Sequence, residues 1–215
     1  MTFWRTTIGK KMVMAVTGVA MLVFLVLHVA GNLLVFVGAT KLDAYSAFLK
    51  QQAVVLWTAR LVLLAAVVTH VTAAYQLARR DHAARHTAYA DLDPQTATIA
   101  SRSMRVGGIV IAVFVIFHLL HLSTGTLRPA PFVATHVYAN VVGGFRIWWV
   151  CAIYFVALAA IGLHLYHGAW SWSRTLGLSR PSATPLHRPI ATVVSVALWA
   201  AFTSIPLAIL VGFVR

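Results

Sequence analysis

The chain contains no glutamate, only four acidic residues in all, and one cysteine among 215 residues. The lone Cys151 excludes an internal disulfide, and the absence of a C-x-x-C-H motif excludes covalent c-type attachment of a haem. Charge is scarce overall. Charged residues make up 10% of the chain, 60% is hydrophobic and the mean hydropathy is +0.85, whereas a soluble domain carries roughly 25% charged residues. No hydrophilic block is large enough to fold separately, so residues 1–215 read as one membrane domain. The formal net charge of +13 does not point to nucleic acid, because the basic residues cluster at the ends of apolar runs and form no basic stripe interleaved with aromatics.

What the sequence has instead is long apolar runs. A membrane span needs about 20 mostly apolar residues, and five stretches qualify, at about 12–37, 53–78, 106–122, 145–170 and 190–213. The first follows Arg5, Lys10 and Lys11 and is too long for a signal-peptide core. No small-residue cleavage site follows it, so it reads as a retained span. Pro206 is expected to kink the fifth span, which neighbouring helices tolerate in a membrane. The segment 81–103 is the most polar, and Arg180 to Pro189 is a Pro-rich turn.

The loops set the expected orientation. Eleven of the seventeen Lys and Arg lie on one side: Arg5, Lys10, Lys11, Arg79, Arg80, Arg85, Arg102, Arg105, Arg174, Arg180 and Arg188. The other six are Lys41, Lys50, Arg60, Arg128, Arg146 and Arg215. The richer side is expected to be cytoplasmic, with the N-terminus inside, the C-terminus outside, and the protein multi-pass in the cell's inner (cytoplasmic) membrane. Trp170 and Trp172 fit the inner interfacial belt, and Trp57, Trp148 and Trp149 the outer one.

Inside four of these spans sit His28, His70, His118 and His164. Hydrocarbon penalises an ionisable side chain, so each is a functional-site candidate. His28 lies about 16 residues into span one, roughly 24 Å deep, and His118 about 12 residues into span three, both toward the outer side. His70 and His164 lie about eight and six residues from the inner ends of spans two and four, and the two levels are expected roughly 10–15 Å apart. Depth thus pairs His28 with His118 and His70 with His164. Two imidazoles per level suit two haems, each iron six-coordinate and suited to electron transfer rather than substrate binding. The fold class expected is an all-α membrane protein: a four-helix haem-binding bundle with a peripheral fifth helix that has no histidine.

A lone membrane histidine is more often an interhelical hydrogen-bonding group than a ligand, and the ligand reading rests on four such residues paired by depth. His121 and His167 each follow a proposed ligand by three residues on nearly the same face, and read more simply as polar interface residues. His82, His86, His136 and His187 fall in loops and read as solvated.

These residues resemble a known family, the single-chain, five-helix, dihaem cytochrome b anchor of succinate dehydrogenase and fumarate reductase. The motifs are Thr17-Gly18 and Leu27-His28-x-x-x-Asn32, then Thr69-His70, then Arg105 to Phe117-His118. The most specific is His164-Leu-Tyr-His-Gly168-Ala-Trp170-Ser, whose first histidine is the ligand in the family. The resemblance covers nearly the whole chain. It implies the same helix pairing, two haem b, a flavoprotein partner carrying FAD, an iron–sulfur partner carrying the clusters, and a quinone, usually menaquinone, near the outer haem. Some fumarate-reducing members use a glutamate two positions before the fourth-span ligand. Here that position is Gly162, which leans the reading toward succinate oxidation.

Other assignments follow from position. Asp43, Tyr45, Arg60 and His121 are candidates for the quinone, Asp43 through proton exchange, although Asp43 is equally a cap on the segment 42–49. Arg105 and Arg174 could pair with propionates of the inner haem or serve only the charge bias. Two alternatives remain: the cytochrome b of another membrane oxidoreductase, such as a hydrogenase or formate dehydrogenase, and a haem-free anchor or small transporter. Broken helices and inverted repeats, which would favour a transporter, are absent from the sequence.

Overall fold

A computed structural model of the chain describes residues 3–84, 98–177 and 187–215, with only the backbone described at His187. Among these residues the protein is helical and has no strand. The helices are α1 (Thr7–Asn32), α2 (Ala39–Gln51), α3 (Ala53–Ala83), α4 (Ile99–His118), α5 (Val137–Phe145), α6 (Trp148–Thr175) and α7 (His187–Leu210). Five are long and apolar enough to cross a membrane: α1 with its extension to Phe36, α3, α4 with its extension to Ser123, α6 and α7. Their outward side chains are apolar, with Leu27, Val54, Leu61, Val106, Val156 and Val193 all exposed. An exterior of that kind suits lipid rather than water.

Local chemistry sets the helix ends. Thr6 caps α1 by accepting from the Gly9 N–H (2.9 Å), and Thr98 caps α4 by accepting from the Ser101 N–H (3.1 Å). Past α1 the chain tightens into a 3₁₀ turn, Leu33–Phe36, and reverses at Gly38, whose φ of +118° suits only glycine. Beyond His118 the helix widens into a π turn, Leu119–Ser123.

Some expected bounds shift. The third span begins earlier, at Ile99, and the fourth begins at Trp148 because Phe145 ends the separate helix α5. His82 is in the last turn of α3 rather than in a loop. His136 is exposed just before α5, as expected, and His86, Arg85 and Arg180 lie outside the described residues. Pro206 sits buried within α7, which runs on to Leu210.

The packing runs α3 against α1, α1 against α6, and α6 against both α4 and α7. By contrast α1 and α4 make no extended contact, nor do α3 and α6. Each non-adjacent pair is therefore separated by a gap that side chains must cross. The main buried cluster gathers at one end, where α2 and α5 close over the long helices: Val35, Leu42, Val142, Phe145, Val150, Tyr154 and Ile205. That end is pinned by Asp43, which accepts from the Tyr138 N–H (2.8 Å), and by Lys50, which donates to the Ala134 carbonyl (2.6 Å). Among the described residues the opposite, basic end has no comparable cluster.

Candidate functional site: two facing histidine pairs

The four membrane histidines meet across the two gaps. His28 of α1 and His118 of α4 have ring centroids 5.9 Å apart, and His70 of α3 and His164 of α6 have theirs 6.3 Å apart. A metal held about 2 Å from one nitrogen of each of two imidazoles sets the centroids roughly 6 Å apart. Among the described residues no three His, Cys, Asp or Glu side chains converge. Each pair thus sets two imidazoles opposite each other, the number a six-coordinate haem iron takes beyond its four porphyrin nitrogens. His164 lies ten residues past Tyr154, which touches His118, so the two pairs are roughly 15 Å apart along α6.

Hydrogen bonds decide which nitrogen is free. The His70 Nδ1–H donates to the Met14 carbonyl (3.1 Å) and lies 3.1 Å from Thr17 Oγ1. Thr17 gives its own proton to the Val13 carbonyl (2.7 Å), and a carbonyl can only accept, so Nδ1 carries the proton and Nε2 keeps its lone pair. Gly18 lies beside this ring: a Cβ there would make ordinary contact, 3.6 Å from His70 Cε1. On His118, Nδ1 lies 3.1 Å from the Tyr154 hydroxyl, and Nε2 makes no hydrogen bond among the described residues.

His164 has no hydrogen bond at either nitrogen among the described residues, and its Nδ1 is fully buried. A buried polar atom without a partner costs about 1–3 kcal/mol. An imidazole kept in that state, 6.3 Å from a second imidazole whose Nε2 is free, fits a metal-binding role. His28 fits less directly. Its Nε2 lies 3.1 Å from the Asn32 amide nitrogen one turn later, so a metal there must displace that contact. His167 faces Trp170, not His70, with ring centroids 6.1 Å apart.

Beyond the His70–His164 pair, at the basic end, an open groove of about 380 Å³ is lined by Ile8, Lys11, Trp170, Ser171, Arg174 and Thr175. Ser171 and Thr175 follow His164 by seven and eleven residues and share its face of α6. Lys11 lies three residues before Met14, the acceptor for His70. The Arg174 and Arg188 guanidinium groups each sit 5.1 Å from the Trp170 ring centroid. Arg105 lies elsewhere, in an exposed ion pair with Asp81 (3.8 Å).

The remaining candidates scatter. His121 is buried beside Tyr154, and Tyr45 packs its ring against Gly31. Asp43 serves as the cap of α5 described above, not of its own helix. Arg60 is exposed and lies over Trp57 (5.0 Å), with no hydrogen bond among the described residues. Sequence reasoning missed Tyr154 and Lys11. A phenol in an apolar span must find a partner when buried, and that signal could have marked Tyr154. Comparison of the chain with protein-family models, curated proteins and solved structures finds no match.

Proposed function

We propose that this chain is the membrane-anchor cytochrome b subunit of a succinate dehydrogenase. Two haem b, when bound, supply one-electron transfer between an iron–sulfur partner subunit and a quinone such as menaquinone. His28 and His118 would hold one, and His70 and His164 the other. The observation that carries this reading is the pair of imidazole couples, each facing across helices that do not otherwise pack.

The residues around each couple support it. The backbone acceptor at Met14 fixes His70 in the tautomer that leaves Nε2 free. Lys11, Ser171 and Arg174 offer a cationic, hydrogen-bonding lining suited to haem propionates at the inner site. The excess of Lys and Arg at this end favours the cytoplasmic side, where flavoprotein and iron–sulfur partners would dock, and puts α2 and α5 outside. In this reading α1, α3, α4 and α6 supply the haem ligands, and α7 supplies none but packs on α6 and sets Phe202 beside His28. Gly162 packs against Trp199, where even a Cβ would lie 3.3 Å from that ring. Gly162 supplies no carboxylate for the glutamate route of some fumarate-reducing members, which favours succinate oxidation over the fumarate-reducing variant.

Purification of the intact complex tests the assignment. The expected result is a flavoprotein and an iron–sulfur protein co-purifying with the chain, and succinate reducing its b-type haem. Co-purifying hydrogenase or formate dehydrogenase subunits would overturn it.

A further inference from the structure

The buried Tyr154 hydroxyl stands between two histidines, 3.1 Å from Nδ1 of His118 and 3.1 Å from Nδ1 of His121. Its ring is 5% exposed and is held edge-on by Phe114 and Phe145, with centroids 4.9 and 4.7 Å away at interplanar angles of 88°. Phe117 closes a third side at 6.1 Å. The phenol oxygen therefore has little freedom to leave either histidine.

A phenol has one proton, and a buried O–H needs an acceptor, so the favoured arrangement donates it to one of these nitrogens and accepts from the other. If His118 gives its Nε2 lone pair to iron, its Nδ1 carries a proton, which must go to the Tyr154 oxygen. The Tyr154 O–H then donates to His121 Nδ1, and His121 carries its remaining proton on Nε2. That nitrogen is turned against α5, where a Cβ on Gly144 would lie 2.7 Å from it. His121 follows His118 by three residues, so the two lie on nearly the same face, and the π turn Leu119–Ser123 begins between them.

We infer that Tyr154 is the positioning residue of the outer haem: its oxygen accepts the His118 Nδ1–H, and its proton, given to His121, keeps His121 from acting as a ligand. This rests on the dihaem reading above. A ligand imidazole that donates from its far nitrogen is a stronger electron donor to the metal and stabilises the ferric form. The donation of Tyr154 to His121 polarises the phenol oxygen and strengthens that acceptor. His70 has a backbone acceptor instead, so the effect of removing the phenol belongs to the outer site alone.

The test is Tyr154→Phe in the intact complex, with haem counted per chain, both midpoint potentials titrated spectroscopically, and low-temperature EPR of the oxidised haems. The expected result is two haems, one midpoint raised with its EPR signal moved, and the other haem unchanged. Two haems with neither midpoint moved, or with both moved alike, would overturn the inference and leave the dihaem reading intact. A haem-free wild-type complex would instead sink the dihaem reading itself, and the inference with it. If Tyr154→Phe loses a haem, His121→Phe decides, because it keeps the phenol. A smaller rise at one haem supports the inference, and no change contradicts it.

Discussion

The two histidine pairs look alike in spacing but are supported by opposite means. His28 and His118 sit at the end where α2 and α5 close over a packed cluster, with aromatic rings on every side: Phe24, Phe114, Tyr154 and Phe202. His118 is oriented there by a side chain. His70 and His164 sit toward the basic end, where the described residues form no such cluster, near a groove lined by Lys11 and Arg174, and His70 is oriented by the backbone of α1. A backbone acceptor cannot be removed by substitution, whereas a phenol can. The His70–His164 pair is thus held by backbone and lies near cationic side chains, whereas the His28–His118 pair is ringed by aromatics and held by a side chain.

Substitutions at the two ends should separate these behaviours. The largest effect is expected from the ligands. His164→Ala should lower haem content from two per chain to one and leave the outer haem's spectrum in place, and His118→Ala should do the converse. Loss of both haems from either variant would mean that the sites are not independent. Next in size is a packing comparison. Gly144→Ala puts a Cβ 2.7 Å from His121 Nε2 in the packed end, whereas Gly168→Ala meets nothing within 4 Å. Overpacking costs about 1–3 kcal/mol, so thermal unfolding should fall for Gly144→Ala and stay put for Gly168→Ala. Equal melting temperatures would refute the contrast in packing.

Smaller effects are expected from charge. Lys11→Gln combined with Arg174→Gln removes two cations from the groove and should lower the midpoint of the inner haem only, because positive charge favours the reduced iron. A redox titration that moves the outer haem instead would place the propionates at the wrong end. The smallest effect concerns His28. Asn32→Leu frees its Nε2 from the amide, so haem content should hold or rise at the outer site. Loss of that haem, counted from the pyridine haemochrome, would show that Asn32 positions the ligand rather than competing for it.

Much of this was legible in the sequence. Apolar run length gives five spans because a membrane demands a minimum length, and the counted depths pair the histidines as they are found. The short helices α2 and α5 were not legible: each is too brief and too polar or too Gly-rich to carry a span signal, and each depends on tertiary contacts such as Asp43 to Tyr138. The π turn after His118 has no sequence signature, and although the three-residue spacing puts His121 near the face of His118, it could not name Tyr154 of α6 as their shared partner. Likewise, Asp43 reads equally well as a proton carrier or a cap until its partner is known. Resemblance of motifs suggested Asn32 and Thr17 but could not say which nitrogen of which histidine each one meets.

The central claim is that each facing pair holds a haem b, and the most direct measurement is a reduced-minus-oxidised visible spectrum of the purified protein with haem quantified per chain. The account predicts two b-type haems per chain. One haem would mean that a pair is not a ligand pair, and no haem would contradict the electron-transfer role altogether.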